Sequence, residues 1–140
     1  MTDLDLAQRH YSVAIQRLQQ ALNTHPNHPV LLLNLASAYL KQGNSRAAVS
    51  LLQPYCQRDP QSSVGWRLLT QAYAARGLVA EEQAAQAEWL ALHGAFEPAR
   101  QALQRACRAA GEQSLKTLRY QARMAQLQQL QRTLLEAKKF

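Results

Sequence analysis

The chain has 140 residues, 47% of them apolar and 18% charged, with 16 Lys or Arg against 9 Asp or Glu and a formal net charge of +7. That length suits one domain, and the apolar share is enough for a sizeable core. No apolar run approaches the ~18 residues that span a membrane, and Met1-Thr2-Asp3-Leu4-Asp5 has neither the basic start nor the apolar stretch of a signal peptide.

Only five glycines and five prolines occur, while Ala, Leu, Gln and Arg dominate, so the composition predicts helix throughout. The first helix covers some part of residues 4–24, with Ala14, Leu18, Ala21 and Leu22 on its packing face and His25-Pro26-Asn27-His28-Pro29 as the break. Four more follow near 29–42, 45–58, 62–76 and 79–93, punctuated by Gly43, Asp59-Pro60 and Gly77. Gly94 ends one helix and Glu97-Pro98 opens another at 96–110, since proline is tolerated in a first turn. Gly111 and Ser114 precede a last, long helix of about 114–138, which the Ser114 hydroxyl is placed to cap. Cys56 and Cys107 fall in helices several elements apart, so two buried thiols are expected rather than one disulfide.

A 34-residue offset ties these helices together: Leu32, Leu35, Tyr39 and Gly43 recur as Trp66, Leu69, Tyr73 and Gly77. Run backwards, it carries Ala48, Leu52 and Pro60 onto Ala14, Leu18 and Pro26. Large apolar residues and an aromatic one turn apart share a packing face. Glycine ends the first helix of a pair, a small residue lets the pair approach, and proline ends the second. This period is the signature of tetratricopeptide repeats, which the chain resembles. The fold expected is an all-α tetratricopeptide-repeat solenoid of about seven antiparallel helices with a long C-terminal capping helix. One domain, 1–140, would hold a partial first repeat at 1–28, repeats at 29–62 and 63–94, and a degenerate repeat with the capping helix at 95–140.

After Gly77 the phase drifts: Ala99, Leu103 and Ala106 repeat the spacing of Ala14, Leu18 and Ala21 at an offset of 85, two and a half repeats. Terminal repeats blur in this way. At the other end only eight residues precede Arg9 where a whole first helix belongs, so the chain is expected to begin inside a longer protein; a continuous capping helix over Leu4–Asn23 is the alternative. A cut repeat would expose apolar surface around Ala14 and Leu18, open to self-association.

A more specific likeness lies in Ala87-Glu88-Trp89-Leu90-Ala91-Leu92-His93-Gly94-Ala95-Phe96-Glu97-Pro98-Ala99-Arg100-Gln101-Ala102-Leu103, in Arg119-Tyr120-Gln121-Ala122-Arg123-Met124-Ala125-Gln126-Leu127 and in Leu51-Leu52-Gln53-Pro54. These segments resemble the C-terminal repeat domain of periplasmic zinc metalloproteases of the beta-barrel assembly-enhancing type. The resemblance implies a recruiting domain whose partners are the barrel-assembly machinery or its substrates, and a periplasmic location. Those proteases carry a His-Glu-x-x-His helix, in which two histidines hold zinc and the glutamate activates water. The four histidines here, His10, His25, His28 and His93, have no such spacing. No Gly-rich phosphate loop and no cysteine with a base partner occurs either. This segment is therefore expected to be no enzyme and to hold no metal or cofactor.

Charge supplies a second clue. Residues 1–97 hold seven basic and seven acidic side chains, so the whole +7 lies in residues 98–140. There Arg100, Arg105, Arg108, Lys116, Arg119 and Arg123, with Arg132, Lys138 and Lys139, face only Glu112 and Glu136. Such a block attracts acidic protein, anionic lipid or nucleic acid, or simply solvates the end of the molecule. Stacking aromatics are few, with only Tyr120 and Phe140 after Phe96, which argues against nucleic acid. Along the last helix, Leu118, Ala122, Ala125 and Leu127 are the expected core contacts.

The first helices of the pairs line the concave face in tetratricopeptide proteins, so the resemblance makes Val30, Leu33, Asn34, Ser37, Leu40 and Lys41 partner-binding candidates. Val64, Arg67, Gln71 and Ala74 are their equivalents. Chaperone-tail adaptors of this fold carry a fixed Lys and Asn where Leu33 and Ser37, then Arg67 and Gln71, stand here, which argues against that ligand. Amide and guanidinium groups among aliphatics suit an extended backbone or strand edge, and Arg67→Glu with Asn34→Ala is expected to weaken binding without unfolding. The function expected is a non-catalytic protein–protein interaction scaffold in an envelope metalloprotease concerned with outer-membrane protein quality control. The alternative is a free-standing cytoplasmic adaptor or regulatory subunit, with which Met1 and the lack of an export signal agree.

Overall fold

A computed structural model describes residues 3–138, with side chains from residue 8 onward. Met1, Lys139 and Phe140, which entered the reading above, lie outside the described residues. Seven helices run in order among the described residues: α1 (Asp3–Thr24), α2 (Pro29–Gln42), α3 (Ser45–Arg58), α4 (Ser63–Ala75), α5 (Val79–Leu92), α6 (Phe96–Ala110) and α7 (Leu115–Ala137). All seven expected helices form, each within a residue or so of its expected bounds, and the fold is the all-α helical-repeat class. The chain divides into two compact units, Met1–Arg76 and Gly77–Phe140, so the boundary falls inside the 63–94 repeat.

Local chemistry explains the helix ends. The Leu31 N–H donates to Nδ1 of His28 (3.5 Å) ahead of Pro29 in the first turn of α2. The histidine of the Pro-rich turn is thus a cap, a role that its sequence context did not reveal. Gly43 ends α2 at φ 89°, a left-handed conformation that costs a side-chain-bearing residue about 1 kcal/mol or more. One residue later Asn44 caps α3, its Oδ1 accepting from the Ala47 N–H (3.2 Å). Ser62 and Ser114 cap α4 and α7, each hydroxyl accepting from a backbone N–H three residues on at 3.1 Å. The Trp66 indole N–H donates to the carbonyl of Pro60 (2.9 Å), which ties the aromatic of one repeat to the proline that closed the one before.

In the first unit α1 packs on α2, α2 on α3, α3 on α4, and α2 also reaches α4. Ile15, Leu35 and Ala38 form a buried cluster against Tyr11, Leu18, Leu22, Tyr39 and Leu51. Ala36, Ala48 and Ala72 are wholly buried, which lets the helices approach closely. Ala14 and Leu18, the expected exposed edge, are half-buried. Gly65 makes a closer approach still: a Cβ there would lie 2.9 Å from the Tyr55 ring and 3.2 Å from the Cys56 sulfur. Any side chain would overlap the buried Tyr55, so glycine is required inside α4 although it weakens the helix locally.

In the second unit α6 sits between α5 and α7. Ala87, Ala99, Ala102, Leu103 and Leu127 make its core, with Phe96, Leu90, Tyr120 and Met124 packed around them. Here the expected register of α7 fails. Leu127 is fully buried, but Leu118 is 62% exposed and Ala122 and Ala125 are exposed too. The helix instead turns Thr117, Tyr120, Met124 and Leu127 inward. Thr117 explains the rotation, since its hydroxyl donates to the carbonyl of Gly111 and its N–H to Ser114, anchoring that polar residue inside the first turn. Both cysteines are thiols, Cys56 buried and Cys107 half-buried.

Candidate protein-interaction site

Spacing along α2 sets Val30, Leu33, Asn34, Ser37 and Lys41 on one side of the helix, away from Leu35 and Tyr39, which face the core cluster. Val30 is 58% exposed, Asn34 and Lys41 are exposed, and Leu33 and Ser37 are half-buried. On α4 the equivalents Val64 (43%), Arg67 and Gln71 are exposed. The two helices are in contact, so the first unit brings the candidate residues of both onto neighbouring helices. No hydrogen bond or ion pair to another described residue engages the side chains of Asn34, Ser37, Lys41, Arg67 or Gln71. Their donors are therefore open to a ligand.

A second concavity of the same unit lies between α1 and α3. About 690 Å³ in volume, it is an open groove with a floor of Leu22, Leu35 and Leu51 and a rim of Gln19, Asn23, Tyr39 and Ser50. Gln19 donates to the Tyr39 hydroxyl (2.6 Å) at its rim. The groove carries no charged side chain.

The basic residues of the second unit are used differently. Arg123 makes a two-pronged contact with Glu88, Nε to Oε1 at 2.6 Å and Nη2 to Oε2 at 2.8 Å, and also donates to Gln126 (3.0 Å). Lys116 pairs with Glu81, Arg100 with Glu97, and Arg105 donates to Gln83 (2.7 Å). Of the six residues expected to form a basic patch, Arg108 and Arg119 have no hydrogen-bond or ion-pair partner among the described residues. A sequence signal for this ladder existed. Glu81 and Glu88 are seven apart, as are Lys116 and Arg123, so two acids and two bases recur every two turns at a constant separation of 35 residues.

Burial acts on two groups beside the ladder. It pushes the Cys107 thiol above its ordinary value. It also pushes the Tyr120 phenol up, helped by the charges of Glu81 and Cys107 and opposed by Arg119. His25 and His28 sit edge-to-face, ring centroids 6.4 Å apart, in the exposed turn before α2. No group of three His, Cys, Asp or Glu is assembled for a metal among the described residues, and no helix there is long and apolar enough to cross a membrane.

A family model described as tetratricopeptide repeat matches residues 5–72. A TPR repeat-containing protein of Pseudomonas aeruginosa is 32% identical over 77 residues, 55% of this chain and 73% of that protein. The chain belongs to the tetratricopeptide-repeat family. It is also 44% identical over 130 residues to the beta-barrel assembly-enhancing protease of Yersinia pestis, and 43% identical over 130 residues to that of Escherichia coli (strain K12). Each match covers 93% of this chain but 27% and 26% of the relative, so the chain spans about a quarter of those proteins. The resemblance read from the Trp89–Leu103 stretch and the Arg-rich helix is thereby borne out. Tetratricopeptide repeats are protein-interaction modules, and the exposed donors of α2 and α4 stand on the first helices of two such repeats.

Proposed function

We propose that this chain is the non-catalytic recruiting domain of an envelope metalloprotease, holding protein partners or substrates of outer-membrane barrel assembly for a catalytic domain elsewhere in the same polypeptide. The observation that carries this reading is the 44% identity, over 93% of the chain, to a protein named for beta-barrel assembly and protease activity. The fold agrees with it, because a stack of helical hairpins offers side chains along an extended surface and a rigid frame to hold them. Partner contact falls on the α2 and α4 face, through Val30, Leu33, Asn34, Ser37, Lys41, Arg67 and Gln71. The location that follows is the periplasm.

The Pseudomonas relative favours a second reading, because that protein, 73% of which the match covers, is named for its repeats and not for a protease. Under it the chain is a stand-alone adaptor of the cytoplasm. An immunoblot of fractionated native cells separates the two. A periplasmic band far above 15.7 kDa is the outcome expected for the protease domain, and a cytoplasmic band near the mass of the chain itself would overturn it.

A further inference from the structure

The two units differ in how much of their positive charge is ion-paired. In the second, Glu81, Glu88 and Glu97 meet Lys116, Arg123 and Arg100. In the first, Lys41, Arg46, Arg58, Arg67 and Arg76 meet no carboxylate among the described residues. The one acidic side chain described in that unit, Asp59, accepts a hydrogen bond from the Tyr55 hydroxyl (3.3 Å). Two of these unpaired cations, Lys41 and Arg67, lie on the α2 and α4 face, which also carries the Asn34 and Gln71 amides and the exposed Val30 and Val64.

We propose that this face takes an acidic, extended segment of a partner protein, bound through internal Asp or Glu side chains rather than through a chain terminus. The inference rests on the reading of the α2 and α4 face given above and adds the chemistry of its ligand. Lys41 and Arg67 supply the opposite charge, and uncompensated cations steer and hold carboxylates far better than cations already paired. Asn34 and Gln71 supply donors and acceptors for the peptide backbone, and the two valines contact apolar side chains between the acids. The mixture favours protein over nucleic acid. None of the residues named for this face is an aromatic on which a base could stack.

The test is fluorescence anisotropy with the full chain and a labelled, acetylated and amidated peptide of Glu-Val-Ser repeats, its Gln-Val-Ser counterpart, and oligothymidylate as competitor. We expect the Glu peptide to bind about tenfold tighter than the Gln peptide at low salt. Lys41→Glu with Arg67→Glu should abolish that preference. Asn34→Ala with Gln71→Ala should weaken both peptides, and Arg108→Glu with Arg119→Glu in the second unit should change neither. Circular dichroism of each variant confirms that it folds. Equal binding of the two peptides, still sensitive to Asn34 and Gln71, would overturn the acidic ligand and leave the α2 and α4 site standing. Failure of both peptides to bind, or indifference to Asn34 and Gln71, would remove the site and this inference together. Displacement of the Glu peptide by oligothymidylate, or an equal loss from the Arg108 and Arg119 variant, would mean a nonspecific response to charge and also overturn it.

Discussion

The unit Met1–Arg76 and the unit Gly77–Phe140 are built from the same helical hairpin, yet they part on where their charges go. By sequence the first has seven basic and three acidic residues and the second nine and six, so their net charges, +4 and +3, are nearly equal. The linear sequence suggests otherwise, because dividing it at residue 97 leaves α5 with the neutral half and puts the whole excess on residues 98–140, which hold most of α6 and all of α7. Folding puts Glu81 and Glu88 of α5 against Lys116 and Arg123 of α7, so two cations of the apparent basic block belong to an internal ladder. A run of like charge is a statement about a surface only after its cross-helix partners have been counted.

The comparison breaks most visibly in the cores. Leu52 in the first unit and Leu127 in the second are both buried to within 1%, and truncation of either to alanine leaves a cavity, that of Leu127 among the wholly buried Ala87, Ala99 and Ala102. Each is expected to cost about 3 kcal/mol, read as a lowered urea midpoint. Amide exchange then shows where the loss is felt: Leu52→Ala should expose α2–α4 and Leu127→Ala should expose α5–α7. If either variant accelerates exchange equally along the whole chain, the two units do not behave as separate bodies and the contrast drawn here loses its basis.

The helices and their ends were legible because the signals are local: Gly43, Pro60 and Ser114 each act on the backbone next to them. The 34-residue period was legible because packing repeats whenever a hairpin repeats. What escaped were features set by a neighbour distant in sequence. Gly65 is dictated by Tyr55 on the adjoining helix and looks from the sequence like a weak spot in α4. The rotation of α7 hinges on Thr117, whose hydroxyl reaches back to Gly111, while the leucine pattern suggested a face centred on Leu118. The Glu81–Lys116 and Glu88–Arg123 pairs were readable only by comparing spacings on two helices, not by summing charge along one. The candidate face was located by analogy with the repeat, and its exposure follows from the side of α2 that Leu35 and Tyr39 do not use.

A smaller effect sharpens the contrast in charge. Glu88→Gln keeps the shape of the side chain and removes one end of the contact with Arg123, which is 37% exposed and therefore well screened. The second unit should lose about 1 kcal/mol or less at low salt. The difference from the native chain should vanish in ~1 M NaCl, where the screening length is about 3 Å. Lys41→Gln and Arg67→Gln should shift the first unit by under ~0.5 kcal/mol in either condition, since no folded-state partner is lost. A Glu88→Gln chain as stable as the native one at low salt would mean that the ladder is ornamental, and that α7 is held by Tyr120, Met124 and Leu127 alone.

The smallest effect concerns Tyr120, which packs against the second core and lies near enough to Glu81 to feel its charge. Burial first, and then Glu81, raise its phenol above the ordinary 10.0. The folded unit therefore holds that proton more tightly than the unfolded chain does. The stabilisation this provides is whole below the ordinary value and disappears as pH climbs through the raised one. Urea midpoints of the native chain should thus fall more steeply above pH ~10 than those of Tyr120→Phe, which has no proton to lose, while the two stay parallel near neutrality. Identical alkaline slopes would place the Tyr120 oxygen in water rather than against α5, and with it would go the picture of α7 clamped along its Glu81 flank by both charge and burial.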